Sequence, residues 1–62
     1  MVMTLIDLAT GSSIESAYTE ELNLAWVSRL ELHGFAVVDW DLSGSSWHFV
    51  NGNGPGLVLE IA

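Results

Sequence analysis

From Ser12 to His33 the chain runs without a glycine or proline, and no other stretch of this protein is uninterrupted for as long. A segment of that length has room for one helix. Elsewhere Gly11, Gly34, Gly44 and the Gly52–Gly56 cluster cut the chain into pieces short enough only for strands. Ser12 followed by Glu15 has capping-box spacing, and Glu15, Glu20 and Glu21 fall where a helix dipole favours anions. Gly34 is a natural stop, with Arg29 and His33 near the carbonyl end. A helix over Ser12–Gly34 is therefore expected. Tyr18, Leu22, Ala25, Trp26 and Leu30 would be its core stripe, leaving Leu24 and Val27 on another side between Glu20 and Glu31. A competing pattern exists in the same stretch: Leu22, Leu24, Trp26, Leu30 and Leu32 alternate with the period of a strand.

Met1–Ala9 is apolar on both of its alternating faces, as in a covered strand. Phe35–Leu42 reads as a strand with Ala36, Val38, Trp40 and Leu42 on one face and Phe35, Val37, Asp39 and Asp41 on the other. Ser43–Ser46 reads as a turn, Trp47–Val50 as the returning strand, and Asn51–Gly56 as a hairpin loop. Leu57–Ile61 closes the chain with Leu57, Leu59 and Ile61 on one side. The expected fold is a single α+β domain of two layers, one helix packed on a small, mainly antiparallel sheet, in the order β-α-β-β-β.

A chain of 62 residues buries only about 60% of the surface its unfolded form exposes, yet half of these residues are hydrophobic. A covering partner or a homodimer sealed by Leu24 and Val27 fits that excess. There is no cysteine, so neither a disulfide nor a thiolate metal site supports the core. Met1-Val2-Met3-Thr4 lacks the cationic opening of a secretory signal, and no apolar run approaches the ~18 residues of a membrane span. A cytoplasmic protein without membrane association is expected.

Charge is the most distinctive bulk property. Eight acids stand against one base, Arg29, for a net charge of −7. Direct nucleic-acid binding requires lysine and arginine to displace phosphate counterions, so the charge balance argues against it. A basic partner is favoured, and solubility of an apolar chain is the plainer account of the same acids.

No pattern of known chemistry emerges. His33 and His48 lack the further ligands a metal site needs. The glycine-rich loop precedes a strand rather than a helix, and no lysine accompanies it, so it does not make a phosphate cradle. Asp39 and Asp41, two apart on one strand, read as a solvated or partner-facing acidic patch. Of Trp26, Trp40 and Trp47, two are expected in the core, and an exposed one would anchor an interface. No catalytic residue and no cofactor are expected.

Two resemblances accompany these observations. His33-Gly34-Phe35, Gly44-Ser45-Ser46-Trp47-His48 and Pro55-Gly56-Leu57-Val58 resemble the helix, turn and hairpin segments of HicA-type toxins. That likeness implies a double-stranded-RNA-binding-like fold and a ribonuclease with His48 at the catalytic position. In kind, a short, acidic, lysine-free chain is similar to phage-encoded anti-CRISPR and other DNA-mimic inhibitors. That likeness implies a non-enzymatic protein that occludes the basic, nucleic-acid-binding site of a host protein or complex. The residues expected to meet such a partner are Glu20, Glu21, Glu31, Asp39 and Asp41, with Leu24 and Val27.

Overall fold

The computed structural model describes residues 1–41 and 45–62. Leu42, Ser43 and Gly44, the end of one expected strand face and half of an expected turn, lie outside the described residues. Six elements follow one another: β1 (Val2–Asp7), β2 (Ser13–Ala17), α1 (Glu20–Leu32), β3 (Ala36–Asp41), β4 (Ser46–Val50) and β5 (Leu57–Ile61). The α+β class and the strand, helix and three-strand succession hold, with β2 inserted before the helix.

That insertion corrects the expected helix start. Residues 13–17 do not form its first turns; they pair antiparallel with β1, Val2 opposite Ala17 and Leu5 opposite Ile14. The connecting turn explains why. Gly11 takes a left-handed backbone, φ 78°, and its N–H donates to the Asp7 carbonyl at 2.7 Å. The Asp7 carboxylate accepts the Ala9 N–H at 2.9 Å, an Asx turn that reverses the chain. The Ser12 carbonyl then accepts from Asp7 N–H, so Ser12 is committed to a hairpin and not to a helix cap. Neighbouring strand hydrogen bonds outweigh the weak local preferences of Ser-Ile-Glu-Ser-Ala.

Thr19 is the N-cap. Its backbone is extended and its hydroxyl accepts the Leu22 N–H at 3.0 Å, with Glu20 and Glu21 in the first turn. At the other end Gly34, φ 88°, donates to the Glu31 carbonyl, and Phe35 N–H reaches back to Leu30. This is a Schellman ending, completed by Phe35 packing on the core cluster that contains Leu30. Thr19→Ala is expected to cost about 1 kcal/mol of stability, because the first turn loses its side-chain acceptor. Urea unfolding followed by circular dichroism would measure this, and an unchanged midpoint would refute the capping role.

The sheet order is β2-β1-β5-β4-β3, every neighbouring pair antiparallel. The hairpin β1–β2 and the meander β3–β4–β5 are thus joined side by side through β1 and β5. The helix carries the chain from one edge strand, β2, to the other, β3. Cross-strand registers assign the faces. Met3 pairs with Ile61, Leu5 with Leu59, and both Trp47 and Phe49 continue that side onto β4. Among the described residues, the four buried on strands, Met3, Phe49, Leu59 and Ile61, all lie on this one face. Leu30 of the helix is buried against Phe49 and Leu59, flanked by Trp26 and Val27.

The observed helix contact is therefore Trp26, Val27 and Leu30. Tyr18, expected to head the stripe, precedes the helix, and Ala25 is exposed. β3 also departs from simple alternation. A bulge falls between Val37 and Asp39, so Val37 pairs with Phe49 and Trp40 with Trp47 on the helix side. Ala36, Asp39 and Asp41 take the other side, opposite Val50, His48 and Ser46. Val38, expected beside Ala36 and Trp40, is the extra residue of the bulge. Trp26 and Trp47 pack against the core, and Trp40 is 58% exposed.

Candidate functional site

The seven residues expected to meet a partner do not form one surface. Glu20, Glu21 and Glu31 are exposed on the helix, which covers the buried face of the sheet. Asp39 and Asp41 lie on the opposite face, in register with His48 and Ser46. Leu24 is 60% exposed, but Val27 packs on the core cluster. Leu24 and Val27, expected together on a homodimer seal, thus differ in surroundings: Leu24 stands outward, and the helix turns half-buried Val27 inward with Trp26 and Leu30.

What the fold does bring together is an acidic row across the open face. Thr4 is opposite Glu15 on one side and Glu60 on the other; Glu60 is opposite Ser46, and Ser46 is opposite Asp41. Glu15–Thr4–Glu60–Ser46–Asp41 is thus one line spanning all five strands. With strands about 4.8 Å apart, Glu15, Glu60 and Asp41 recur roughly every 10 Å. Asp39 adds a fourth carboxylate, about 6–7 Å along β3 from Asp41. All four are exposed, and no described residue of this face is buried. The next row, Ser13–Ile6–Val58–His48–Asp39, places apolar Ile6 and Val58 between the polar ends.

No lysine and no second arginine exists to lie among these acids. Arg29 belongs to the other layer, where it lines a groove of about 360 Å³ between the helix and the β1–β2 hairpin with Leu5, Ile14, Leu22, Trp26 and Leu30. Carboxylates about 10 Å apart in water repel by only about 0.4 kcal/mol before salt screening, so the row costs the fold little. The same separation is close to the screening length of physiological salt, so their potentials overlap into one negative field.

Glu15 and Glu60 are absent from the expected contact residues for different reasons. Glu15 has the spacing of a helix cap, which hides the strand alternation of Ser13–Ala17. Glu60 is legible, since Leu57, Leu59 and Ile61 on one side put it on the other; only the pairing of β5 between β1 and β4 reveals its neighbours.

His48 occupies the same face. Its Nε2 lies 2.8 Å from the Pro55 carbonyl oxygen, which can only accept, so the ring N–H donates and ties the glycine-rich loop to β4. Asn51 at the start of that loop donates from Nδ2 to the His33 carbonyl at 3.1 Å, fastening it to the helix end. Among the described residues, no group of three or more His, Cys, Asp or Glu side chains is placed to hold a metal ion. No described helix is long and apolar enough to cross a membrane. Compared with known proteins, the chain matches no family model, no curated protein and no solved structure.

Proposed function

We propose that this protein is a non-enzymatic binding protein whose open sheet face docks on the basic, nucleic-acid-binding surface of another protein and occludes it. The observation that carries this reading is the line Glu15–Glu60–Asp41 with Asp39 beside it, on a face that has no lysine or arginine. The proposed contact set is therefore Glu15, Asp39, Asp41 and Glu60. Glu20, Glu21 and Glu31 on the helix contribute to the long-range field but not to the contact. A sheet suits such docking: its backbone ladder is already ordered, so the entropy lost on meeting guanidinium or ammonium groups is that of the side chains alone. Electrostatic steering would speed the encounter, and added salt would slow it.

Two variants test the assignment at nearly matched charge. E15Q/D39N/D41N/E60Q neutralises the sheet face, and E20Q/E21Q/E31Q neutralises the helix. Capture of partners from a lysate at low salt, followed by competition with DNA or RNA, is the measurement. The sheet variant is expected to lose a basic, nucleic-acid-binding partner that the helix variant keeps, and nucleic acid should displace the native protein from it. Equal loss in both variants would reduce the effect to net charge. A partner that holds nucleic acid and this protein together would overturn occlusion.

A further inference from the structure

The edge strand β3 combines four properties that together select one kind of partner. Among the described residues it ends the sheet, so no strand pairs with its outer row of backbone groups, and the Trp40 N–H of that row is held by the Asp39 carboxylate at 2.9 Å, a bond an added strand would take over. Every one of its residues is exposed. Its helix-side face presents Val37 and Trp40, 41% and 58% exposed, beyond what the core uses. Its open face presents Asp39 and Asp41.

We propose that β3 accepts an extended, basic segment of the partner as a sixth strand, its lysines or arginines opposite Asp39 and Asp41 and its apolar side chains opposite Val37 and Trp40. This rests on the acidic-docking reading above and gives the partner's contacting segment a chemistry: an amphipathic strand with cations at alternate positions. Strand addition supplies affinity through the backbone and specificity through alternate side chains. Trp40 is the residue type most able to anchor such a contact.

A second copy of this chain fits the edge poorly. Two β3 strands related by a twofold axis run antiparallel. With Trp40 on the axis, Asp39 faces Asp41 of the other copy twice; with Asp39 on the axis, it faces itself. Like charges directly opposite are destabilising. Registers centred on Val37 or Val38 oppose no two acids but put the bulge inside the paired segment, where the strand bends. Acids and a bulge are also the usual guards of a sheet edge against its own kind. Here they leave the edge open to a strand of opposite charge.

The test uses a short synthetic peptide alternating lysine with valine, and the same peptide N-methylated on alternate backbone amides. Binding to the full chain is followed by amide shifts in nuclear magnetic resonance titrations at low salt. The parent peptide is expected to perturb residues 36–41 most. D39N/D41N should weaken it about tenfold, and N-methylation should weaken it at least as much. The Asp39 carboxylate accepts the Trp40 N–H at 2.9 Å, and the amide oxygen introduced by D39N can accept the same bond, so the variant keeps the local fold. Equal binding of the methylated peptide, or shifts centred on β2 or spread over the whole face, would overturn strand addition and leave acidic docking standing. Failure of both peptides and of polylysine to bind would overturn the docking reading itself. Self-association through β3 without peptide would assign the edge to a second copy and overturn the proposal.

Discussion

Phe49→Ala is expected to remove about 3–5 kcal/mol, a third or more of the protein's stability. Phe49 is 1% exposed and sits on β4, with β3 on one side and β5 on the other, directly beneath Leu30 of the helix. Truncating a buried phenylalanine costs about 3–5 kcal/mol, from lost transfer energy and from the cavity left behind. A domain of this length has roughly 3–9 kcal/mol of stability in total. No cysteine provides a cross-link to offset the loss. Only five hydrophobic residues are buried among those described, so no second cluster can hold the two layers together. Circular dichroism and amide dispersion in a nitrogen-15 spectrum would read the outcome. Trp40→Ala is the control: a larger side chain is removed, but from an exposed position, and a change within about 0.5 kcal/mol is expected. If Phe49→Ala remained folded with a midpoint near that of Trp40→Ala, the location of the core would be wrong.

The core is visible in the sequence wherever alternation alone decides the matter. Leu57, Leu59 and Ile61 declare one side of β5, and Gly34 declares the end of the helix, because only backbone periodicity and a left-handed φ are involved. Elsewhere tertiary pairing overrides two local signals. Ser12 and Glu15 have the spacing of a capping box, but so does any serine three residues before a glutamate. The hairpin made by Asp7 and Gly11 takes Glu15 into β2, and the cap passes to Thr19. In β3 the sequence alternates cleanly through Val38, and the bulge that shifts Trp40 to the face of Val37 depends on the register with β4. The acidic row is the least legible feature. Glu15, Glu60 and Asp41 come from three strands, and nothing in their separate neighbourhoods says that Thr4 and Ser46 will align them. The helix expected to organise the chain instead shields one face of the sheet, and the face it leaves open carries the acidic row.

Gly56→Ala is expected to be the most damaging single-methyl change in the protein. Gly56 has φ 84°, a region that costs a residue with a β-carbon roughly 1–2 kcal/mol. A β-carbon there would also fall on the Phe49 carbonyl oxygen and press on Val50 Cγ1 at 3.1 Å. The first of these is backbone in the central strand of the meander, so it cannot swing aside as a side-chain tip would. Relief requires the chain to lift between Pro55 and Leu57. That movement strains the bond from Leu8 N–H to the Gly56 carbonyl and the contact of His48 with Pro55, and it loosens the pairing of Leu57 with Phe49 and Asp7. Adding the ~1–3 kcal/mol typical of overpacking gives a total of about 2–5 kcal/mol. Gly52 is the matched comparison: its φ is 69°, but a β-carbon there meets nothing, so Gly52→Ala should cost only the backbone contribution. Urea midpoints for the two variants separate strain from clash, and equal midpoints would mean that β5 does not hold its observed position beside β4. Because β5 places Glu60 at the centre of the acidic row, Gly56→Ala should also weaken the proposed docking on a basic partner even where the protein remains folded, whereas Gly52→Ala should leave it intact.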